Sequence, residues 1–126
     1  MKVLIVDGYN AIHKIPRIDS LLDDSLEEAR EAITKLAKEY QRRSGGIAEV
    51  YVVFDGRDEY GQLSFNKPNQ IFSKTGEGDR EVIRLTQEKT DKFHVIVASD
   101  DNRVGNSCRA AGATVISIKK FYEFIN

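Results

Sequence analysis

Three hydrophobic runs of this chain end in aspartate. Val3-Leu4-Ile5-Val6 runs into Asp7, Val52-Val53-Phe54 into Asp55, and Val95-Ile96-Val97-Ala98-Ser99 into Asp100-Asp101. One such aspartate is ordinarily a turn former or a helix cap. Several at successive strand ends are harder to assign to capping alone. Carboxylates gathered in one place repel, and a cation relieves that repulsion most directly. Oxygen-only ligands favour Mg²⁺ or Mn²⁺ over zinc, and the chain has no Cys/His spacing suited to zinc. A carboxylate-held ion of this kind binds phosphate oxygens and activates a water, so phosphodiester hydrolysis needs no side-chain nucleophile. The sequence offers no Ser/His/Asp or Cys/His signature that would supply one.

Two further segments bear on the same chemistry. Asp7-Gly8-Tyr9-Asn10 follows the first strand, and its glycine allows backbone to approach a ligand closely. Asn10 suits orienting a water or a scissile phosphate, and it suits a turn or a helix cap equally well. In Gly76-Glu77-Gly78-Asp79 two acids lie in a Gly-rich turn just ahead of a helix. Asp79 caps that helix, faces the strand-end acids, or does both. His13 and His94 are lone histidines, and His94 at the head of a strand reads as structural.

To form one site these residues need a common edge, and the pattern of elements provides it. Lys2 to Val6, Glu49 to Phe54 and Phe93 to Ala98 are short, continuous, β-branched-rich runs, the mark of parallel strands covered on both faces. Thr114 to Ile118 reads as a fourth strand after the Gly112-Ala113 turn, and Gln70 to Ser73 as a weaker fifth. From Ser25 to Arg43 apolar residues recur every three or four positions, with a Ser25/Glu28 capping box and a Gly45-Gly46 stop. Further helices are expected from Asp79 to about Lys89 and from Asn102 to Ala111, with a short terminal turn from Phe121 to Ile125. The alternation predicts a single α/β domain over residues 1–126, a three-layer sandwich around a central, mostly parallel sheet. In such sheets ligands bind at the carboxyl ends of the strands. The polar stretch from Gly56 to Pro68 reads as an exposed loop on that edge, suited to substrate contacts.

Composition sets the outer limits. With 126 residues, 40% hydrophobic and 31% charged, the chain has the makings of one soluble core. Its opening apolar run is too short for a signal peptide, so the cytoplasm is the expected location. Cys108 is the sole cysteine. No internal disulfide can form, and core packing is its expected role. A net charge of −1 argues against nucleic-acid binding by bulk electrostatics alone, yet leaves room for a metal-centred enzyme.

Together these segments resemble the NYN branch of the PIN-like nucleases, and most of all its YacP-like bacterial subgroup. The match runs in order through Leu4-Ile5-Val6-Asp7-Gly8-Tyr9-Asn10, Val52-Val53-Phe54-Asp55-Gly56, Gly78-Asp79-Arg80-Glu81-Val82-Ile83, Ala98-Ser99-Asp100-Asp101 and Gly112-Ala113. The resemblance implies a PIN-like, Rossmann-like topology and a metal-dependent endoribonuclease acting on RNA. It implies that Asp7, Asp79 and Asp100 hold Mg²⁺ or Mn²⁺ with Asn10 nearby, and that Asp55 is a ligand or lies just behind the ligands. RNA is the implied substrate, and the ribosome is a partner the subgroup suggests. The chain departs from the family in having Gly78 before Asp79 and a second acid, Asp101, after Asp100. Either acid of that pair fits as a ligand; Asp100 is preferred because strand alternation puts its neighbour on another face. Arg57, Arg80 and Arg103 lie close in sequence to these acids and are candidates to grip a phosphate backbone. Tyr9, Tyr60 and Phe65 are candidates to stack on bases.

Rival readings fare less well. A haloacid-dehalogenase-type phosphatase needs a second aspartate where Tyr9 stands, and a receiver domain needs paired acids after the first strand. No Gly-rich nucleotide-binding loop is present. A PIN-like domain that binds RNA or protein without cutting is the alternative from another class, ranked lower because the core acids are retained.

Overall fold

The structure is a computed structural model that describes residues 1–56, 68–74 and 76–126. The strands are β1 (Lys2–Asp7), β2 (Ile47–Asp55), β3 (Gln70–Ser73), β4 (His94–Ala98) and β5 (Thr114–Ile116). They form one all-parallel sheet in the order β3-β2-β1-β4-β5. The helices are α1 (Gly8–Lys14), α2 (Pro16–Asp19), α3 (Leu26–Ser44), α4 (Gly78–Lys89), α5 (Asn102–Ala110) and α6 (Ile118–Ile125), with a short 3₁₀ turn at Ser20–Asp23.

Alternation along the strands divides the interior in two. Leu4 and Val6 of β1 join Val50, Val52 and Phe54 of β2 in a core closed by α1, α3 and α6, through residues such as Ile12, Ile33 and Phe121. Val3 and Ile5 face the other way, joining Val53, Val95 and Val97 against Val82 and Leu85 of α4 and Val104 and Cys108 of α5. Residues 3–6 of β1 are wholly buried on both faces, which is why the run is apolar without interruption. The expected three-layer α/β sandwich is therefore present, with β1 at its centre. Cys108 packs in the second core, its Sγ donating to Thr86 Oγ1 at 3.5 Å. Among the described residues no helix is long and apolar enough to cross a membrane.

The structure departs from the sequence reading at two joints. Gly8 to Lys14 is a helix that the sequence pattern does not announce, formed because Ala11 and Ile12 are drawn into the core. The last strand stops at Ile116, because the Ser117 side chain accepts the Lys120 N–H and starts α6 one residue later. Ile118 thus belongs to a helix. Most of the expected Gly56-to-Pro68 loop lies outside the described residues.

Candidate active site

The carboxyl ends of β1, β2 and β4 border a cleft of about 230 Å³ lined by Asp7, Tyr9, Asn10, His13, Val53, Asp55, Gly78, Asp79 and Asp101. Strand parity explains which acids reach it. In β1 and β2 the residues at positions 3, 5 and 53 face α4 and α5, so Asp7 and Asp55, each in step with them, face that side too. Asp7 lies beside Val53 in the ladder. Asp79 comes from the first turn of α4, and Asp101 is the residue on which α5 begins.

Two glycines bring these pieces together. A Cβ on Gly8 would lie 2.6 Å from the Val53 carbonyl oxygen and 2.6 Å from the Phe54 ring. One on Gly78 would lie 2.8 Å from Asp55 Cβ. Neither glycine has a positive φ. Each is small so that a helix start can press against β2, which carries Asp79 up to Asp55. The close approach expected at Gly8 is thus to the protein's own backbone.

The acids differ in how they spend their oxygens. Asp7 occupies the cap position of α1 but makes no capping bond; it accepts one hydrogen bond, from Ser99 Oγ at 2.8 Å. Burial, and then the nearby Asp79 and Asp101 carboxylates, outweigh that bond and push Asp7 up to about 6. Asp79 caps nothing either, since Glu77 holds the cap position of α4. Its pKa is raised by burial and by Asp101 and Asp55, against a lowering by Arg103. Asp55 Oδ1 accepts from the Gly76 N–H at 2.7 Å, and Asp101 Oδ1 from the Val104 N–H at 2.9 Å. Ser99 ties the group together, its Oγ also accepting from Asp101 N at 3.1 Å.

Asp100 is oriented away from this group. Its Oδ1 accepts from the Ile118 N–H at 2.9 Å, on the α6 side of the sheet. Its own N–H donates to Asn10 Oδ1 at 2.8 Å. Of this pair the geometry thus brings Asp101 to the cleft, and not Asp100, the one preferred from sequence. Val95 and Val97 face α4 and α5; the same parity carries Ser99 and Asp101 to the cleft and turns Asp100 to the opposite face. Asn10 lines the cleft, but its carbonyl oxygen pins the β4–α5 corner, leaving the Nδ2 hydrogens without a partner among the described residues.

The remaining candidates divide similarly. Arg103 is exposed at the start of α5 and close enough to act on Asp79, while Arg80 is exposed beside Asp79 on α4. Arg57, Tyr60 and Phe65 lie outside the described residues. Tyr9 is half-buried on the cleft wall, its ring 5.3 Å from Phe54 and its hydroxyl accepting from Arg30 Nε at 3.0 Å and Nη2 at 2.6 Å. His94 bonds Thr114 Oγ1 through Nε2 at 3.1 Å, away from the cleft. His13 is a cleft residue that sequence reasoning missed; a helix read from Gly8 onward would have placed it on the face of Tyr9 and Asn10.

Whether a divalent cation suits this cleft can be judged from the donors. They are carboxylate oxygens, and the raised pKa of Asp7 marks a place where negative charge lacks a counter-charge. Among the described residues no group of three His, Cys, Asp or Glu is placed so that it could hold a metal ion together. An ion here would have one or two carboxylates as protein ligands, a number Mg²⁺ accepts when water and phosphate oxygens complete its shell.

The α/β fold and an acid cleft at the strand ends define a PIN-like domain, and comparison with known proteins makes the assignment specific. Residues 4–126 match the model of the YacP-like NYN domain, and the chain belongs to that family. It is 35% identical over 91 residues to YacP of Bacillus subtilis strain 168, a stretch that covers 69% of this chain and 52% of YacP. This chain thus aligns with about half the length of that relative. Its fold is similar to the crystal structure of Rae1 (YacP) from Bacillus subtilis, with a TM-score of 0.75 and 28% identity over 99% of this chain and 74% of that one. For the W164L mutant of the same protein the TM-score is 0.79 at 29% identity, over 99% and 75%.

Proposed function

We propose that the chain is a divalent-metal-dependent endoribonuclease that hydrolyses RNA phosphodiester bonds in the acid cleft. The observation that carries this reading is that Asp7, Asp55, Asp79 and Asp101 line one cleft from two strand ends and two helix starts, with Asp7 raised to about 6. A structural role calls for capped, satisfied carboxylates; Asp7 and Asp79 cap nothing. Membership of a PIN-like nuclease branch supports the same conclusion.

In this reading Asp7, with Asp79 or Asp101, would hold Mg²⁺ or Mn²⁺, water and phosphate oxygens completing its shell, with Asp55 at the edge of the set. Bound there, the ion supplies an activated water and neutralises charge on the phosphate. The chain's own groups do the rest. Ser99 keeps the Asp7 carboxylate oriented, and the free amide hydrogens of Asn10 suit a phosphate oxygen or the attacking water. Arg80 and Arg103 are available for flanking phosphates, contacts that position a strand without reading its sequence. We further propose a cytoplasmic site of action, with ribosome-associated RNA among the substrates, on the strength of the family resemblance.

The test is a cleavage assay on structured and single-stranded RNA and DNA, with Mn²⁺, with Mg²⁺ and with excess chelator. Asp7→Asn should abolish cleavage, a loss of at least about 1,000-fold, with the circular dichroism spectrum unchanged. Full activity in that variant, or in chelator, would sink the metal-nuclease reading. Binding without cleavage under every ion would favour a domain that holds RNA without cutting it.

A further inference from the structure

The cleft has a histidine on its wall. Tyr9, Asn10 and His13 follow one another at helical spacing along α1 and line the cleft together. Just beyond, the helix stops at Ile15 and Pro16 starts α2, folding the chain back so that Asp19 meets the end of α1. His13 Nδ1 then lies 3.0 Å from Asp19 Oδ1. An ionised carboxylate only accepts hydrogen bonds, so Nδ1 carries the hydrogen and the working nitrogen is Nε2. Nε2 has no partner among the described residues. Both side chains are well exposed, at 63% and 49%, and exposed pairs of this kind add little to stability. The contact therefore orients the ring more than it holds the fold.

The other cleft groups have other work in this reading: the aspartates are assigned to the ion, and the half-buried Tyr9 packs on Phe54 and accepts two hydrogen bonds from Arg30. His13 lies in the last turn of α1, with Nε2 open toward the cleft that it lines. We propose that His13, oriented by Asp19, is a catalytic residue of this cleft whose Nε2–H protonates the oxygen that leaves the scissile phosphate. This rests on the nuclease reading above. In the step, a water oxygen forms the new bond to phosphorus and its proton goes to solvent. The bond from phosphorus to the leaving ribose oxygen breaks with its electron pair on oxygen, and that oxygen takes the Nε2 proton. The imidazole is reprotonated from solvent, so diester and water give monoester and alcohol. Asp19 stabilises the imidazolium, as a carboxylate does beside any proton-transferring histidine.

The experiment compares wild type, His13→Ala and Asp19→Asn, with Mn²⁺, on RNA and on bis(p-nitrophenyl) phosphate, whose nitrophenolate leaves without protonation. On RNA His13→Ala should lose about 100-fold in kcat and Asp19→Asn about 10-fold. On the activated diester both should lose less than about 5-fold. Equal losses on the two substrates would overturn the proton-donor role while leaving the nuclease reading standing. A wild-type protein inactive on both substrates would overturn the nuclease reading and the role of His13 with it. Nitrogen-15 spectra of the metal-free protein at alkaline pH give a readout independent of turnover. They should show the Nδ1–H tautomer of His13 in wild type and its loss in Asp19→Ala; an Nε2–H tautomer in wild type would overturn the proposal.

Discussion

At one edge of the sheet, the two faces treat polar groups in opposite ways. On the α1, α3 and α6 side each is matched. Arg30 is buried yet donates twice to Tyr9 and lies 5.0–5.7 Å from the centres of three aromatic rings. Buried Gln70 donates to Thr34 Oγ1 at 3.0 Å, and Thr34 Oγ1 donates to the Arg30 carbonyl at 2.8 Å. Asp100 spends an oxygen on the first residue of α6. On the α4 and α5 side, carboxylates crowd one another and Asp7 is left with a single neutral donor. Adjacent residues of the same type, Asp100 and Asp101, lie on the two sides: each accepts a backbone N–H, but only Asp101 also lies among the cleft carboxylates. A satisfied acid holds chain segments together; a crowded one stores repulsion that a substrate complex can relieve.

The comparison is most easily broken with those two neighbours. Asp101→Asn should lower RNA cleavage by about 100-fold or more, and Asp100→Asn by less than about 5-fold; similar losses in steady-state assays would erase the distinction between the faces. Next in size is the effect of charge on stability. The Asp7 carboxyl titrates near 6 in the folded chain against its ordinary 3.8. The folded state therefore binds this proton more tightly, and the stability it contributes is complete below about pH 4 and lost as the pH rises through 6. In chelator, Asp7→Asn should match wild type near pH 4 and exceed it by about 2–3 kcal/mol near pH 8, as read from urea unfolding. The catalytically dead variant should be the sturdier protein. A smaller effect is expected from Gly8→Ala, whose new methyl meets the Val53 carbonyl and should cost about 1–3 kcal/mol in the same measurement. The smallest is the stability change in Asp100→Ala, which removes the bond to Ile118 N and should cost about 1 kcal/mol.

Most of the fold was legible because the buried strands are apolar on both faces and cannot be mistaken for amphipathic helix. The long helix α3 announced itself by period and by Ser25, whose side chain accepts the Glu28 N–H at 3.3 Å. The short elements were not legible. Helix α1 has seven residues and begins with glycine, so local propensity speaks against it and only burial of Ala11 and Ile12 makes it form. Missing that helix hid His13, whose relation to Asn10 exists only at helical spacing. Of the cleft acids, Asp7, Asp55 and Asp79 were readable from strand ends and a Gly-rich turn. Asp101 shares the parity of Val95 and Val97, but this places it in the cleft only once the face that Asp7 occupies is known, and that face is set by the packing of α4 and α5. The bond from Asp100 to Ile118 depends on where α6 begins, which no local pattern near Asp100 records.

The placement of Asp7 on the middle strand has a dynamic consequence. Edge strands such as β3 and β5 can fray while the rest of the sheet stays closed, but β1 is hydrogen-bonded on both sides, to β2 and to β4. Opening it requires both ladders to part, so its backbone amides are expected to exchange with solvent only through near-global unfolding. Asp7, whose charge burial disfavours, is thus anchored to the segment expected to let go last.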